Sequence, residues 1–209
     1  APWCEEEWTA VDDRVRGGKS RSHMTIDKDS LQARFFGHLE ITFQQSGSCG
    51  GAGFASQSYM KPIHAPELHY CGILLLVKHD VSAPEREFHL VLKTTLPRRR
   101  PDGWRESNIT YERSFSPPHE GKSMHIVFPW DCFYPSYRGS PAPDAPPLDP
   151  AEIKELTIMC RSGFGKQHGD FSLFICKVGL VTTHKTGFVK VVDKIVGAIR
   201  RLFTCGVNV

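Results

Sequence analysis

The stretch Phe88-His89-Leu90-Val91-Leu92-Lys93-Thr94 decides the fold class. Side chains alternate between the two faces of an extended strand. Phe88, Leu90 and Leu92 therefore fall on one face, and His89, Val91 and Lys93 on the other. Other segments follow the same logic. Leu39-Glu40-Ile41-Thr42-Phe43 alternates as a half-buried strand, and Phe54 to Tyr59 continues after the flexible turn Gly47-Ser48-Cys49-Gly50-Gly51-Ala52-Gly53. Ile73 to Val77 is wholly apolar, which predicts a central strand covered on both faces. Ile109 to Phe115, Ser123 to Phe128, Leu156 to Cys160 and Phe171 to Val178 complete the series. No helical pattern lies between these strands, so a βαβ sheet is disfavoured and a sandwich or barrel expected.

Composition agrees. The chain has 209 residues, room for one domain or one domain with an appendage. Apolar residues make up 40% and charged residues 23%, enough for a sizeable core. With 18 Gly, 15 Pro and 13 Phe, a β-rich fold is favoured over a helical bundle. The longest apolar run, Ile73 to Val77, is too short for a transmembrane helix. The acidic opening Ala-Pro-Trp-Cys-Glu-Glu-Glu resembles neither a signal nor a transit peptide, so the expected location is the cytoplasm, with the mitochondrion as the alternative. Seven cysteines without a C-x-x-C pair are expected to be free thiols, with Cys71, Cys160 and Cys176 serving as small buried hydrophobes.

Two segments break the strand pattern. Pro97-Arg98-Arg99-Arg100-Pro101 reads as a rigid basic loop, and Pro135 to Pro150, with six prolines, as an extended surface loop. The tail differs again. Of the net charge of +3, the excess sits in residues 182–209, where Lys185, Lys190, Lys194, Arg200 and Arg201 face only Asp193. The nearly neutral body (1–181) argues against nucleic-acid binding. Phe188, Val191, Val192, Ile195, Val196, Ile199, Leu202 and Phe203 recur at helical spacing, which predicts a basic amphipathic helix. Three roles stay open for residues 188–203: packing on the sandwich, lying on a membrane surface, or capping a partner or ligand.

No nucleophile elbow, phosphate loop or dinucleotide fingerprint occurs, and His64 and His69 are a weak metal pair, so neither metal nor cofactor is expected. A catalyst would have to work by positioning and polarising its substrate. Strand alternation places Gln57, His89, Lys93 and Glu112 together on one polar face, with His89, Lys93 and Glu112 as candidate acid, base or hydrogen-bond donor. Trp104, Trp130, Tyr134 and Tyr137 are candidate aromatic walls; Tyr111, on the strand of Glu112, and Arg14 complete the candidate ligand contacts.

Trp8-Thr9-Ala10-Val11-Asp12-Asp13-Arg14-Val15-Arg16-Gly17-Gly18-Lys19-Ser20 resembles the opening motif, roughly D-D-x-V-x-G-G-x-S, of the complex I intermediate-associated protein (thirty-kilodalton) family. Further markers follow in that family's order. They are Phe36-Gly37-His38-Leu39, Gly51-Ala52-Gly53-Phe54-Ala55-Ser56, Tyr70-Cys71-Gly72-Ile73, Phe88 to Thr94, Phe128 to Pro135 with Arg138-Gly139, and Gly169-Asp170-Phe171-Ser172-Leu173. The resemblance covers residues 8 to about 181. It implies an all-β, galactose-binding-like sandwich of jelly-roll type. Three functions are compatible with it: a cofactor-independent cyclase or isomerase of a small apolar metabolite in specialised metabolism, a non-catalytic assembly factor of the respiratory complex I type, and a carbohydrate-binding module. Within the opening motif, Gly17 and Gly18 permit a tight turn, Asp12, Asp13 and Ser20 can cap backbone donors, and Arg14 can pair with either aspartate.

Overall fold

A computed structural model describes residues 4–27, 29–41, 53–96, 98, 101, 106–119, 121–163, 165–183 and 191–192. The strands are β1 (Trp8–Ala10), β2 (Arg21–Asp27), β3 (Gln32–Leu39), β4 (Phe54–Tyr59), β5 (Tyr70–His79), β6 (Phe88–Lys93), β7 (Ile109–Phe115), β8 (Ser123–Pro129), β9 (Tyr134–Tyr137), β10 (Ser140–Pro141), β11 (Glu155–Arg161), β12 (Gly169–Thr182) and β13 (Val191–Val192). They form two antiparallel sheets, one of seven strands in the order β1-β4-β11-β6-β7-β9-β10 and one of six that includes β2-β3-β12-β5-β8, with β13 added to β12. Among the described residues, helix is confined to short 3-10 turns, and no helix is long and apolar enough to cross a membrane.

Alternation explains the layering. Phe88, Leu90 and Leu92 of β6 stand in register with Cys160, Ile158 and Leu156 of β11, and all six are buried. They meet Ala33, Phe35 and Leu39 of β3, Ile73, Leu75 and Val77 of β5, and Phe171, Leu173 and Ile175 of β12 in one core. Phe88 ties the sheets together, its ring centroid lying 6.1 Å from Phe35 and 6.3 Å from Phe171. Burying such a side chain contributes about 1.5–3 kcal/mol.

Several expectations are corrected. The strand expected at 39–43 is displaced: β3 ends at Leu39, and residues 42–43 lie outside the described set. The proline-rich stretch 135–150 is not simply a loop. Its first part forms the β9–β10 hairpin, with β10 and its Pro141 at the sheet edge, where proline is tolerated. Cys160 is buried, but Cys71 is exposed and Cys176 half-buried; all five described cysteines are free. Burial pushes the Cys160 thiol up to about 12. The expected C-terminal helix falls on residues outside the described set, except Val191–Val192, which are strand, pairing with Val181 and Leu180.

Candidate functional site: the outer face of the seven-stranded sheet

The face of this sheet turned away from the core is polar. Register defines it: Ser58 of β4 stands opposite Thr157 of β11, Thr157 opposite Val91 of β6, and Val91 opposite Glu112 of β7. Glu112 in turn faces Tyr134 of β9. One row along, Glu155 faces Lys93 and Thr110 faces Ser136; in the other direction Met159 faces His89.

Two ion pairs organise the strip. Lys93 Nζ lies 2.7 Å from Glu155 Oε1, which also accepts from Ser58 Oγ at 3.0 Å and Thr157 Oγ1 at 3.1 Å. Arg161 Nη1 lies 2.7 Å from Glu112 Oε2, and Glu112 Oε1 accepts from Thr110 Oγ1 at 2.9 Å. Arg161 belongs to β11 and Glu112 to β7, so the arginine side chain reaches across β6, the strand of His89 and Val91. His89 is 3% exposed, and burial, reinforced by the Arg161 charge, pushes its pKa down to about 3. It is therefore neutral at neutral pH. Its Nε2 lies 3.4 Å from Glu87 Oε1, while Nδ1 is buried without a partner. Glu155 Oε2 and Ser136 Oγ are likewise buried and unpartnered.

Of the residues expected here, His89, Lys93, Glu112 and Tyr134 share the face. Gln57 does not: it stands opposite Ile158, on the core side, and its Nε2 donates to Ser22 Oγ at 3.1 Å. Tyr111 also turns inward, opposite Leu92, and its hydroxyl donates to Pro146 O at 2.9 Å. Trp130 is a core residue whose Nε1 donates to Tyr70 O at 2.8 Å. Tyr137 is out of phase with Tyr134 and opposite Ile109, with the Arg138 guanidinium 5.4 Å over its ring. Trp104 lies outside the described residues. Ser58, Ser136, Glu155, Thr157 and Arg161 were not anticipated. The signal was present in Glu155-Leu-Thr-Ile-Met-Cys-Arg161, whose polar residues at 155, 157 and 161 share one phase.

The opening motif has another role. Asp12 Oδ1 accepts from Ser22 Oγ at 2.6 Å and Ser56 N at 3.0 Å, and its Oδ2 from Ser22 N at 3.1 Å. Asp13 accepts from Ser20 N at 3.0 Å, Ser20 Oγ at 2.6 Å and Phe54 N at 3.3 Å. The pair clamps the N-terminal segment to β2 and β4. The glycines around it are required by space: a Cβ on Gly18 would lie 2.2 Å from Asp13 Cγ, and one on Gly53 2.4 Å from Glu40 O. Arg14 is exposed in this clamp, 3.7 Å from Asp12. Among the described residues, no His, Cys, Asp and Glu group is arranged to hold a metal.

The chain resembles solved structures of one kind. It matches the family 11 carbohydrate-binding module of the cellulase Lic26A-Cel5E from Clostridium thermocellum with a TM-score of 0.58 at 13% identity, over 87% of this chain and 91% of that one. A second structure, a family 11 module of Clostridium thermocellum with a β-1,3-1,4-mixed-linked tetrasaccharide, matches with a TM-score of 0.51 at 12% identity, over 81% and 88%. At that identity the likeness shows the fold alone, a galactose-binding-like β-sandwich. An uncharacterised protein of Schizosaccharomyces pombe, C9E9.15, is 33% identical over 193 residues, 88% of this chain and 84% of that protein. Residues 3–175 match the family model described as Complex I intermediate-associated protein 30 (CIA30), and the chain belongs to that family.

Proposed function

We propose that this protein is a non-catalytic binding domain whose ligand, a small molecule or carbohydrate, seats on the outer face of the seven-stranded sheet. One observation carries the reading: Glu155 Oε2, His89 Nδ1 and Ser136 Oγ are buried there without hydrogen-bond partners. Buried polar groups are almost always matched, so three unmatched atoms on three strands of one face call for a ligand or bound water there; Glu7, His79 and Arg86 carry others elsewhere. The sandwich fold shared with carbohydrate-binding modules supports the reading by analogy.

Turnover is the weaker reading. A cyclase or isomerase needs an acid or base near neutral pKa. Lys93 and Glu112 are each held in an ion pair, and His89 is a weak base under its burial. The test is ¹⁵N NMR of the protein against a small-molecule and sugar library. The expected cross-peak shifts fall on β6, β7, β9 and β11; shifts confined to the six-stranded sheet would overturn the assignment.

The second reading, an assembly factor, is favoured by family membership. It predicts co-migration with a large membrane complex on native gels and a mitochondrial location, neither of which the binding reading requires. Fluorescent tagging separates them.

A further inference from the structure

Resting on the outer-face reading, we propose that the ligand is an elongated, uncharged molecule that presents several hydroxyl donors. The unmatched atoms decide its chemistry. Glu155 Oε2 belongs to a carboxylate whose other oxygen already accepts from Lys93, Ser58 and Thr157. It is a pure acceptor. His89 is neutral, so its unpartnered Nδ1 donates or accepts according to the tautomer. Ser136 Oγ can serve either way. A ligand that meets all three atoms must donate to Glu155 and offer groups able both to give and to accept a hydrogen bond, as hydroxyls do.

Charge narrows the class. Lys93 and Arg161 are cancelled by Glu155 and Glu112, and Glu87 adds a further carboxylate at the rim. An anionic group would meet a surplus of carboxylates. A cation would have to approach His89 beside the Arg161 guanidinium, whose charge already reaches that ring. Hydroxyl groups can satisfy all three unmatched atoms without either conflict.

Spacing sets the size. Glu155 faces Lys93, and Thr110 faces Ser136, so Glu155 and Ser136 stand three strands apart across β11, β6, β7 and β9. At the usual inter-strand spacing that is about 14 Å at the backbone. His89 lies four residues along β6 from Lys93, about 13 Å. A single hexose does not bridge such anchors. A chain of several units lying across the strands does, with Val91 as an apolar floor and the exposed ring of Tyr134 at one end.

The experiment is calorimetric titration of the full chain with cellotetraose, tetragalacturonate and the glucosamine tetramer, with glucose as the short control. Binding of cellotetraose above the charged tetramers and above glucose is expected. Glu155→Gln should weaken it about tenfold, and Ser136→Ala about three- to tenfold. Ser136 Oγ has no protein partner, so Ser136→Ala should keep or raise the melting temperature of the free protein, which makes it decisive even where Glu155→Gln fails to fold. Preferential binding of a charged tetramer to this face, sensitive to Ser136→Ala, would overturn the neutral-hydroxyl inference while leaving the outer face as the site. Binding of none of the four, or binding indifferent to both substitutions, would overturn the inference together with the outer-face reading.

Discussion

Two of the buried polar networks in this sandwich differ in completeness. In the N-terminal clamp, every carboxylate oxygen of Asp12 and Asp13 has a partner. On the outer face of the seven-stranded sheet, Glu155, His89 and Ser136 each retain an unmatched atom. A completed network spends its hydrogen bonds on holding the chain in place. An incomplete one holds part of its bonding capacity for something else. The contrast yields a rule that substitutions can break: change in the clamp should reduce stability, and change on the outer face should reduce affinity.

The largest expected effect lies in the clamp. Asp12→Ala strands the buried amides of Ser22 and Ser56, while the Ser22 hydroxyl can still donate to Ser56 O. At the usual cost of unmatched buried donors, the loss is about 4 kcal/mol. Urea unfolding checks it; a loss under about 1 kcal/mol would mean that water replaces the aspartate and the clamp is not a closed network.

Next comes His89. Its folded pKa is depressed to about 3 from 6.5, so the unfolded chain binds the proton first as pH falls. Stability from this group is fully present above pH 6.5 and is lost as pH falls through about 3. Between pH 7 and pH 4 the linkage amounts to about 3 kcal/mol. His89→Gln should flatten that part of the pH–stability curve.

Asp80 extends the comparison to the other sheet. Burial raises its pKa, but hydrogen bonds from Ser82 and Ser172, with the Arg34 charge, outweigh it and hold the group at about 2. A depressed carboxylate stabilises above its unfolded pKa of 3.8 and loses that contribution as pH falls through about 2. Asp80→Asn should cost about 2 kcal/mol at pH 7 and much less near pH 2. Equal cost at both pH values would show that packing, not charge, dominates there.

The sequence revealed strand phase where hydrophobicity alternated cleanly. On β6 and β7, Phe88, Leu90, Leu92 and Phe115 mark the core side, so His89, Lys93 and Glu112 were assigned to the right face. On β4 the pattern fails, because Ser56, Gln57 and Ser58 are all buried and polarity no longer reports the face. Only Ala55 and Tyr59 set the phase, and they carry Gln57 inward. Ser22, buried on β2 to serve Asp12, hid a strand in the same way. Pro135 in β9 and Pro141 in β10 masked their hairpin, since propensity penalises proline in strands. The Glu155 cluster needed register as well as phase, because it joins β4, β6 and β11, which are far apart in sequence.

The smallest expected effect sharpens the comparison most. Ser136 is 2% exposed, and its hydroxyl has no partner. If the outer face were only an imperfectly packed surface, deleting that hydroxyl would remove an unsatisfied buried group and raise stability by about 1 kcal/mol or more. If a bound water already serves it, removal should cost about 0.5 kcal/mol or more. If the hydroxyl awaits a ligand, the free protein behaves in one of those two ways, and Ser136→Ala in addition reduces the rise in melting temperature that ligand produces. Thermal melts with and without cellotetraose separate the three, because the free melt distinguishes an unmatched hydroxyl from a water-served one and only a ligand site makes the substitution reduce the rise that ligand produces.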